Sequence, residues 1–495
     1  MSRRPNRVLR AVGFGLLTAC GSDSKPPSEP ARLTVTAVNP NSGPLAGGTA
    51  VAITGTNFVD ITSVTIGGSA LVSLTIVSGT QITGTTAAAT DAGAKDIVVN
   101  SSSRGTSSCT GCFSYVEVDV PSGNETRIAA GWDHTCALTT DGAAYCWGNN
   151  TYGALGDGSR TNSAVPVAVA GGLEFTSLAA GSAYTCGLTS SGTAYCWGLN
   201  QSGELGNGST ANSSIPIAVA GGLNFIMLVS SGDHTCALTR AGAAYCWGKN
   251  DAGQLGNGMQ KPTSQPGSVT PVAVSGGLSF TSVDAGGYHT CGITIAGATY
   301  CWGLNDSGEL GNGLQGTNAT TPVAVSGRPS FSSVTTGFYH SCGLTSVGFA
   351  FCWGTNRNGQ LGNGSTSGPD YCPTYPNTGA CSLTPIAVNG GLHFDLLALG
   401  GSHSCGLANG GVAYCWGANG NGELGNGSRT TSSTPIAVSS GFAFEAIAAA
   451  ITGYTCAITA SGAAYCWGKN DVGQLGNGST SDASTPVAVS GFPPR

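Results

Sequence analysis

Cysteine carries the most regular chemistry in this sequence. Seven pairs are each separated by nine residues: Cys136 with Cys146, Cys186 with Cys196, Cys236 with Cys246, Cys291 with Cys301, Cys342 with Cys352, Cys405 with Cys415, and Cys456 with Cys466. A Trp-Gly follows each second cysteine. With a three-residue loop at Thr140-Asp141-Gly142, two short strands put Thr139 opposite Ala143, Ala137 opposite Tyr145 and Cys136 opposite Cys146. Such a loop wants a left-handed residue at its last position, where glycine is least strained. Gly142, Gly192, Gly242, Gly297, Gly348, Gly411 and Gly462 all stand there. Cysteines opposed on one face of a hairpin are within disulfide reach. Each bridge stabilises its hairpin by at most about 3 kcal/mol on the loop-entropy model. The alternative, a metal site, finds no matching zinc-ligand spacing.

Cys109 with Cys112 and Cys372 with Cys381 form two further candidate pairs, and Cys20 is left over among the 19 cysteines. Cys109 and Cys112 make a Cys-x-x-Cys, for which a loop-stapling disulfide competes with a redox role; the latter needs a helix N-terminus beside it. So many paired cysteines imply an oxidising compartment. Histidine stands two residues before the first hairpin cysteine at His134, His234, His289, His340 and His403, with Tyr184 and Tyr454 in the remaining units. A ring of histidines raises a metal hypothesis, against which stands one repeated local hydrogen bond; the expectation is structure, with no metal and no cofactor. The Asn-x-x-Gly-x-Leu-Gly-x-Gly loops lack the Lys-Ser/Thr of a phosphate cradle and the alternating aspartates of a calcium loop. They read as turns, with Leu205 and its counterparts filling gaps between units. No Ser-His-Asp set or paired carboxylates stand out, so no catalytic residue is assigned and a non-enzyme is expected.

The elements that position these residues are short strands. Charged residues are only 8% of 495 and glycine numbers 80, which fits many strands and turns. Each unit has four strand-like pieces: an apolar run such as 176–181, the two hairpin strands, and a proline-led run such as 216–219. The tryptophans recur at intervals of 50 to 63 residues. Four strands repeated seven times is the arithmetic of a seven-bladed β-propeller. The sequence leaves ring closure open. Small residues near Gly131 place the first strand at the axis. Short Gly-Gly links suggest that the proline-led strand joins the next unit's blade, which would pair 486–489 with 128–130.

The recurring Gly-x-x-His-Thr-Cys-x-Leu-Thr, Tyr-Cys-Trp-Gly-x-Asn and Gly-x-Leu-Gly-x-Gly segments over 126–495 resemble repeats of the regulator of chromosome condensation family. That resemblance implies a seven-bladed propeller. The exchange-factor role of its eukaryotic founder on chromatin does not transfer to a chain that looks exported, acidic and disulfide-laced; the family's secreted bacterial binders are the nearer analogy. Residues 33–118 carry alternating strands and turns expected of a β-sandwich. Val38-Asn39-Pro40, Gly47-Gly48-Thr49 and Phe113-Ser114-Tyr115 resemble the IPT/TIG immunoglobulin-like family, which implies a spacer or binding module. Residues 1–20 run from Arg3 through an apolar stretch to Leu17-Thr18-Ala19-Cys20, which resembles a bacterial lipoprotein signal with Cys20 as the lipidated residue. Residues 21–32 are a polar tether and 119–125 a linker.

The formal charge is −6, and four units lower once Arg3, Arg4, Arg7 and Arg10 leave with the leader. No basic patch exists for nucleic acid or for an anionic membrane surface, so contact with the membrane is expected only through the lipid. The chain reads as an all-β, lipid-anchored cell-envelope binder with its anchor in the outer membrane, or else secreted. Its partner is a protein or a cell-surface glycan, and its oligomeric state is open. An envelope enzyme acting on glycan or peptide and a purely architectural role are the competing readings. Two insertions, 258–269 with Met259 and Lys261 and 365–383 with Tyr371, Tyr375 and the pair Cys372 and Cys381, interrupt the repeat on one face and are the candidate binding loops.

Overall fold

The computed structural model describes residues 32–45, 47–116, 127–262, 264–327, 330–373, 379–408 and 410–493. The leader with Cys20, the tether up to residue 31, the linker 119–125 and Tyr375 lie outside them.

The N-terminal unit is two sheets around one core. One sheet orders Thr34–Asn39, Ala50–Thr56, Gln81–Thr85 and Val72–Ser78. The other orders Ser42–Pro44, Gly105–Val116, Gly93–Ser101, Ile61–Ile66 and Ser69–Ala70. Alternation sends Ile53, Ile82, Ile97, Val99 and Phe113 inward, all fully buried in one cluster. Cys109 and Cys112 sit inside a strand, not ahead of it. The register jumps from Lys95 opposite Phe113 to Ile97 opposite Cys109, and the disulfide closes across this bulge. Among the described residues no helix N-terminus adjoins the pair, and a redox Cys-x-x-Cys requires that setting.

From Ile128 to Ala488 the chain forms seven consecutive blades, each an antiparallel sheet laid down in chain order from its first to its fourth strand. The first blade is Ile128–Ala130, His134–Leu138, Ala144–Gly148 and Ser163–Ala168. Neighbouring first strands touch all around the ring, including that of the seventh blade, Phe444–Ala449, against Ile128–Ala130, so they line the axis. The hairpin cysteines stand directly opposite one another in every blade, as their spacing requires. Cys136 is bridged to Cys146, with Cα atoms 4.0 Å apart. Cys186 with Cys196, Cys291 with Cys301, Cys342 with Cys352 and Cys456 with Cys466 repeat that 4.0 Å separation. Cys236 with Cys246 and Cys405 with Cys415 lie at 4.1 Å. Gly142 has φ +84°, the left-handed conformation its turn demands.

Two expectations are corrected. The proline-led run is longer: Pro216 is the fourth residue of Ser213–Ala218. That strand is the outermost of its blade, where a missing N–H breaks no ladder. It also stays in its own blade, so the ring does not close by pairing 486–489 with 128–130. The Gly171-Gly172 type of link, with both residues at positive φ, instead returns the chain from the rim of one blade to the axis of the next.

Side chains close the ring. Each hairpin tryptophan is fully buried and donates its indole N–H to the preceding blade's Gly-x-Leu loop: Trp197 to the Ala154 carbonyl at 2.8 Å, and Trp147 across the seam to that of Gln474 at 2.9 Å. Beside each tryptophan stands a phenylalanine from the link. Phe175 lies 5.7 Å from Trp197 between ring centroids. At the seam that place belongs to Phe492, 6.1 Å from Trp147 and beyond the last strand. Leu205 is buried with Phe225 and Trp247 between blades.

Candidate binding face

The histidines belong to this closure. His134 Nε2 lies 2.9 Å from Thr185 Oγ1 of the next blade. Thr185 gives its own proton to the Ala154 carbonyl at 3.0 Å, so it accepts the Nε2 proton. The same bond joins His234 to Thr290, His289 to Ser341 and His340 to Ser404 at 2.8 Å, and His403 to Thr455 at 3.0 Å. The two tyrosines complete the circle by another route. Tyr184 donates to the His234 carbonyl at 2.7 Å, and Tyr454 donates across the seam to that of His134 at 2.6 Å. Burial holds all five histidines far below the usual imidazole range, at about 4 for His134 and His403 and about 3 for the other three. They are neutral hydrogen-bond donors. No group of three or more His, Cys, Asp or Glu able to hold a metal lies among the described residues.

The turns just before these histidines converge on the axis and build the most distinctive surface of the propeller. Their backbones are tied in a collar: Trp132 N–H to Ser182 O, Ser182 N–H to Gly232 O, Gly287 N–H to Gly337 O, Phe338 N–H to Gly400 O and Gly401 N–H to Ala450 O, at 2.7–3.4 Å. Trp132 of the first blade reaches Phe338 of the fifth, with ring centroids 6.3 Å apart, so aromatic side chains bridge the mouth of the axis. Phe338 packs edge-on against Tyr288 at 5.3 Å and Tyr339 at 4.5 Å. A Cβ on Gly287 would lie 2.4 Å from the Phe338 ring, so only glycine fits under this platform.

Two lysines with four aspartates ring the platform. Lys249 is 3.5 Å from Asp233 and from Asp251, and its ammonium stands 5.0 Å from the Tyr288 ring centroid. Lys469 is 3.1 Å from Asp133 and 3.3 Å from Asp471. Ser182 donates to Asp233. A cleft of ≈ 380 Å³ opens between the first two blades, walled by Trp132, Tyr152 and Leu199, with Asp133 and Asp233 at its edge.

The loops singled out from sequence share this face, because the long third-to-fourth-strand loops and the first-to-second-strand turns emerge at the same end of each blade. Met259 is 60% exposed, with its carbonyl held by Asn250 Nδ2 at 3.0 Å. Lys261 is half-buried, its ammonium 2.6 Å from the Gly267 carbonyl. Tyr371 is 68% exposed on an added strand, Asp370–Cys372, which pairs with Gly379–Ala387 beside the Cys372–Cys381 disulfide. These loops belong to the outer part of the third and fifth blades. The first reaches the mouth through Gln260, which donates to the Asp251 carbonyl.

Trp132, Asp133, Tyr288, Phe338 and Tyr339 were not among the residues picked out by sequence. A signal existed. At the two positions before the repeated His or Tyr, units two and six carry Ser182-Ala183 and Gly401-Ser402, while units one, four and five carry Trp132-Asp133, Gly287-Tyr288 and Phe338-Tyr339.

Comparison with known proteins fits this architecture. The RCC1-like domain family matches residues 51–396, and regulator of chromosome condensation (RCC1) repeats match 395–423, 436–474 and 461–495. The first match opens inside the N-terminal sheets, ahead of the first blade at Ile128. The rat probable E3 ubiquitin-protein ligase HERC4 is 30% identical over 224 residues, 43% of this chain and 20% of that protein. The Arabidopsis thaliana ultraviolet-B receptor UVR8 is 29% identical over 215 residues, 42% of this chain and 45% of that one. The chain thus spans less than half the length of either relative. Among solved structures, Prp20p of Saccharomyces cerevisiae superposes with TM-score 0.61 at 21% identity, covering 72% of this chain and 87% of that one. Human WBSCR16 gives 0.56 at 20%, covering 66% and 85%. Family match, blade count and fold agree, and the chain belongs to the RCC1-like domain family.

Proposed function

We propose that this chain is a binding propeller that grips a protein partner on the face bearing the aromatic mouth, and that it works at a bacterial cell envelope, anchored through lipid on Cys20. The observation that carries the binding reading is the Trp132–Phe338 contact across a collar of backbone hydrogen bonds. Large aromatic side chains with few rotors, held rigid before a partner arrives, lower the ordering entropy that binding must overcome. Met259 and Tyr371 would extend the contact outward on the same face. Prp20p, which shares the fold, is described with binding properties to Gsp1p and histones, and with Kap60 bound, which favours a protein over a small molecule as partner.

The envelope reading rests on the leader pattern ending at Cys20 and on nine disulfides, which need an oxidising compartment. The two-sheet N-terminal unit fits an IPT/TIG-like spacer between the anchor and the propeller. Affinity capture from envelope extract with the full chain should retain a discrete protein, and Phe338→Ala with Tyr339→Ala should lose it. Capture unaffected by that pair of changes would place the partner elsewhere. Cys20→Ala should move the protein from membranes to soluble fractions; unchanged membrane partition refutes the anchor.

A further inference from the structure

The cleft between the first two blades suggests what part of a partner the mouth reads. We propose that it receives a cationic side chain, an arginine or lysine, from the partner protein; this rests on the protein-binding reading above. The walls are Trp132, Tyr152 and Leu199, with Ala154 and Ala183, so the pocket accepts an apolar stem. The acidic side chains lining it are Asp133 and Asp233. His134, the remaining titratable group besides Tyr152, is committed to Thr185 and neutral. Among the described residues, no lysine or arginine lines the cleft.

The surrounding surface keeps this imbalance. Lys249 and Lys469 meet Asp133, Asp233, Asp251 and Asp471, leaving two negative charges in excess at the mouth of an already acidic chain. The protein also holds a working example of the chemistry. Lys249 sits between an aromatic face, Tyr288, and two carboxylates, Asp233 and Asp251. In the cleft, Trp132 and Tyr152 stand with Asp133 and Asp233, which Lys469 and Lys249 also contact from outside it, and neither lysine is among the lining residues. A cation with an apolar stem gains from both the ring faces and the carboxylates, and the low-dielectric wall strengthens both. A pyranose could also stack on Trp132, but it would leave the excess charge uncompensated.

Fluorescence can read the site directly. Of the eight tryptophans, the seven in the hairpins are fully buried, and Trp132 alone is partly exposed. The full chain is titrated with the tripeptides Gly-Arg-Gly, Gly-Lys-Gly and the neutral isostere Gly-citrulline-Gly, and with N-acetylglucosamine. A saturable change in tryptophan emission is expected with the two cationic peptides, weakened about tenfold in Asp133→Asn or Asp233→Asn. Tyr152→Ala alters an exposed loop residue away from the blade cores and should weaken it too, which guards against the aspartate variants being merely misfolded. Equal response to the citrulline peptide, saturation by the sugar instead, or no saturable response overturns the proposal. Such failure leaves protein capture by Phe338 and Tyr339 standing, because those residues do not line the cleft.

Discussion

Glu309 shows how one repeat position sets the chemistry of a residue. Glu204, Glu309 and Glu423 occupy the place held in other blades by Gln254, Gln360 and Gln474. Each accepts the backbone N–H of the residue two before it, at 2.8–2.9 Å. An amide does this without charge. Burial pushes the Glu309 carboxyl up to about 8 and that of Glu204 to about 7, so Glu309 is a protonated stand-in for glutamine at neutral pH. The folded chain then keeps a proton that the unfolded chain releases near pH 4.5, and stability falls as pH rises from there to about 8. Glu309→Gln should therefore be more stable than the natural chain at pH 9, by about 2 kcal/mol or more, with the gap closing below pH 5 on denaturant titration. An equal gap at both pH values would show that Glu309 is not held protonated. The histidines were legible at this scale as a structural position, because one residue type recurring at one place in the unit implies one local bond. The mouth was not, because its residues differ from unit to unit and come together only through the closed ring.

At the scale of elements, hairpin register was readable because glycine position, cysteine spacing and strand alternation all demanded the same pairing. Removing one bridge, Cys236→Ala with Cys246→Ala, should lower stability by at most about 3 kcal/mol, since the turn at Gly242 already holds the hairpin. A larger loss on thermal unfolding would mean that the bridge does more than close its loop. The fourth strand was misread because proline marks an edge strand without marking its start. Pro216 lies in mid-strand, where the outer edge tolerates it. The added strand Asp370–Cys372 lies outside the four-strand ladder of its blade. Shortening 365–383 to the length of the equivalent loop at 428–433 should shift the thermal midpoint by no more than about 4 °C. If the partner's affinity also stays unchanged, Tyr371 plays no part in binding.

At the scale of the whole molecule, the ring is a circle of nearest-neighbour contacts, with no strand exchanged among the described residues. The sequence could count seven blades but could not say how the last meets the first, since Phe492 and Gln474 reach Trp147 only in three dimensions. Phe492 is only half-buried against Trp147, so Phe492→Ala should loosen this seam and lower stability by about 1 to 2 kcal/mol. Unchanged stability would mean that the seam does not depend on it. Five neutral histidines bind protons on unfolding, so stability should fall as pH drops from 6.5 toward about 3, by up to about 1.4 kcal/mol per pH unit for each histidine, visible as an early acid transition in circular dichroism. The most direct test of the central claim, that the collared aromatic mouth is the binding face, is the dissociation constant of the captured partner for two variants. One is Phe338→Ala with Tyr339→Ala; the other is Thr140→Lys, in a hairpin turn on the opposite face. A loss of at least about tenfold is expected for the first and none for the second. Full affinity in the mouth variant, with loss in Thr140→Lys, would contradict it.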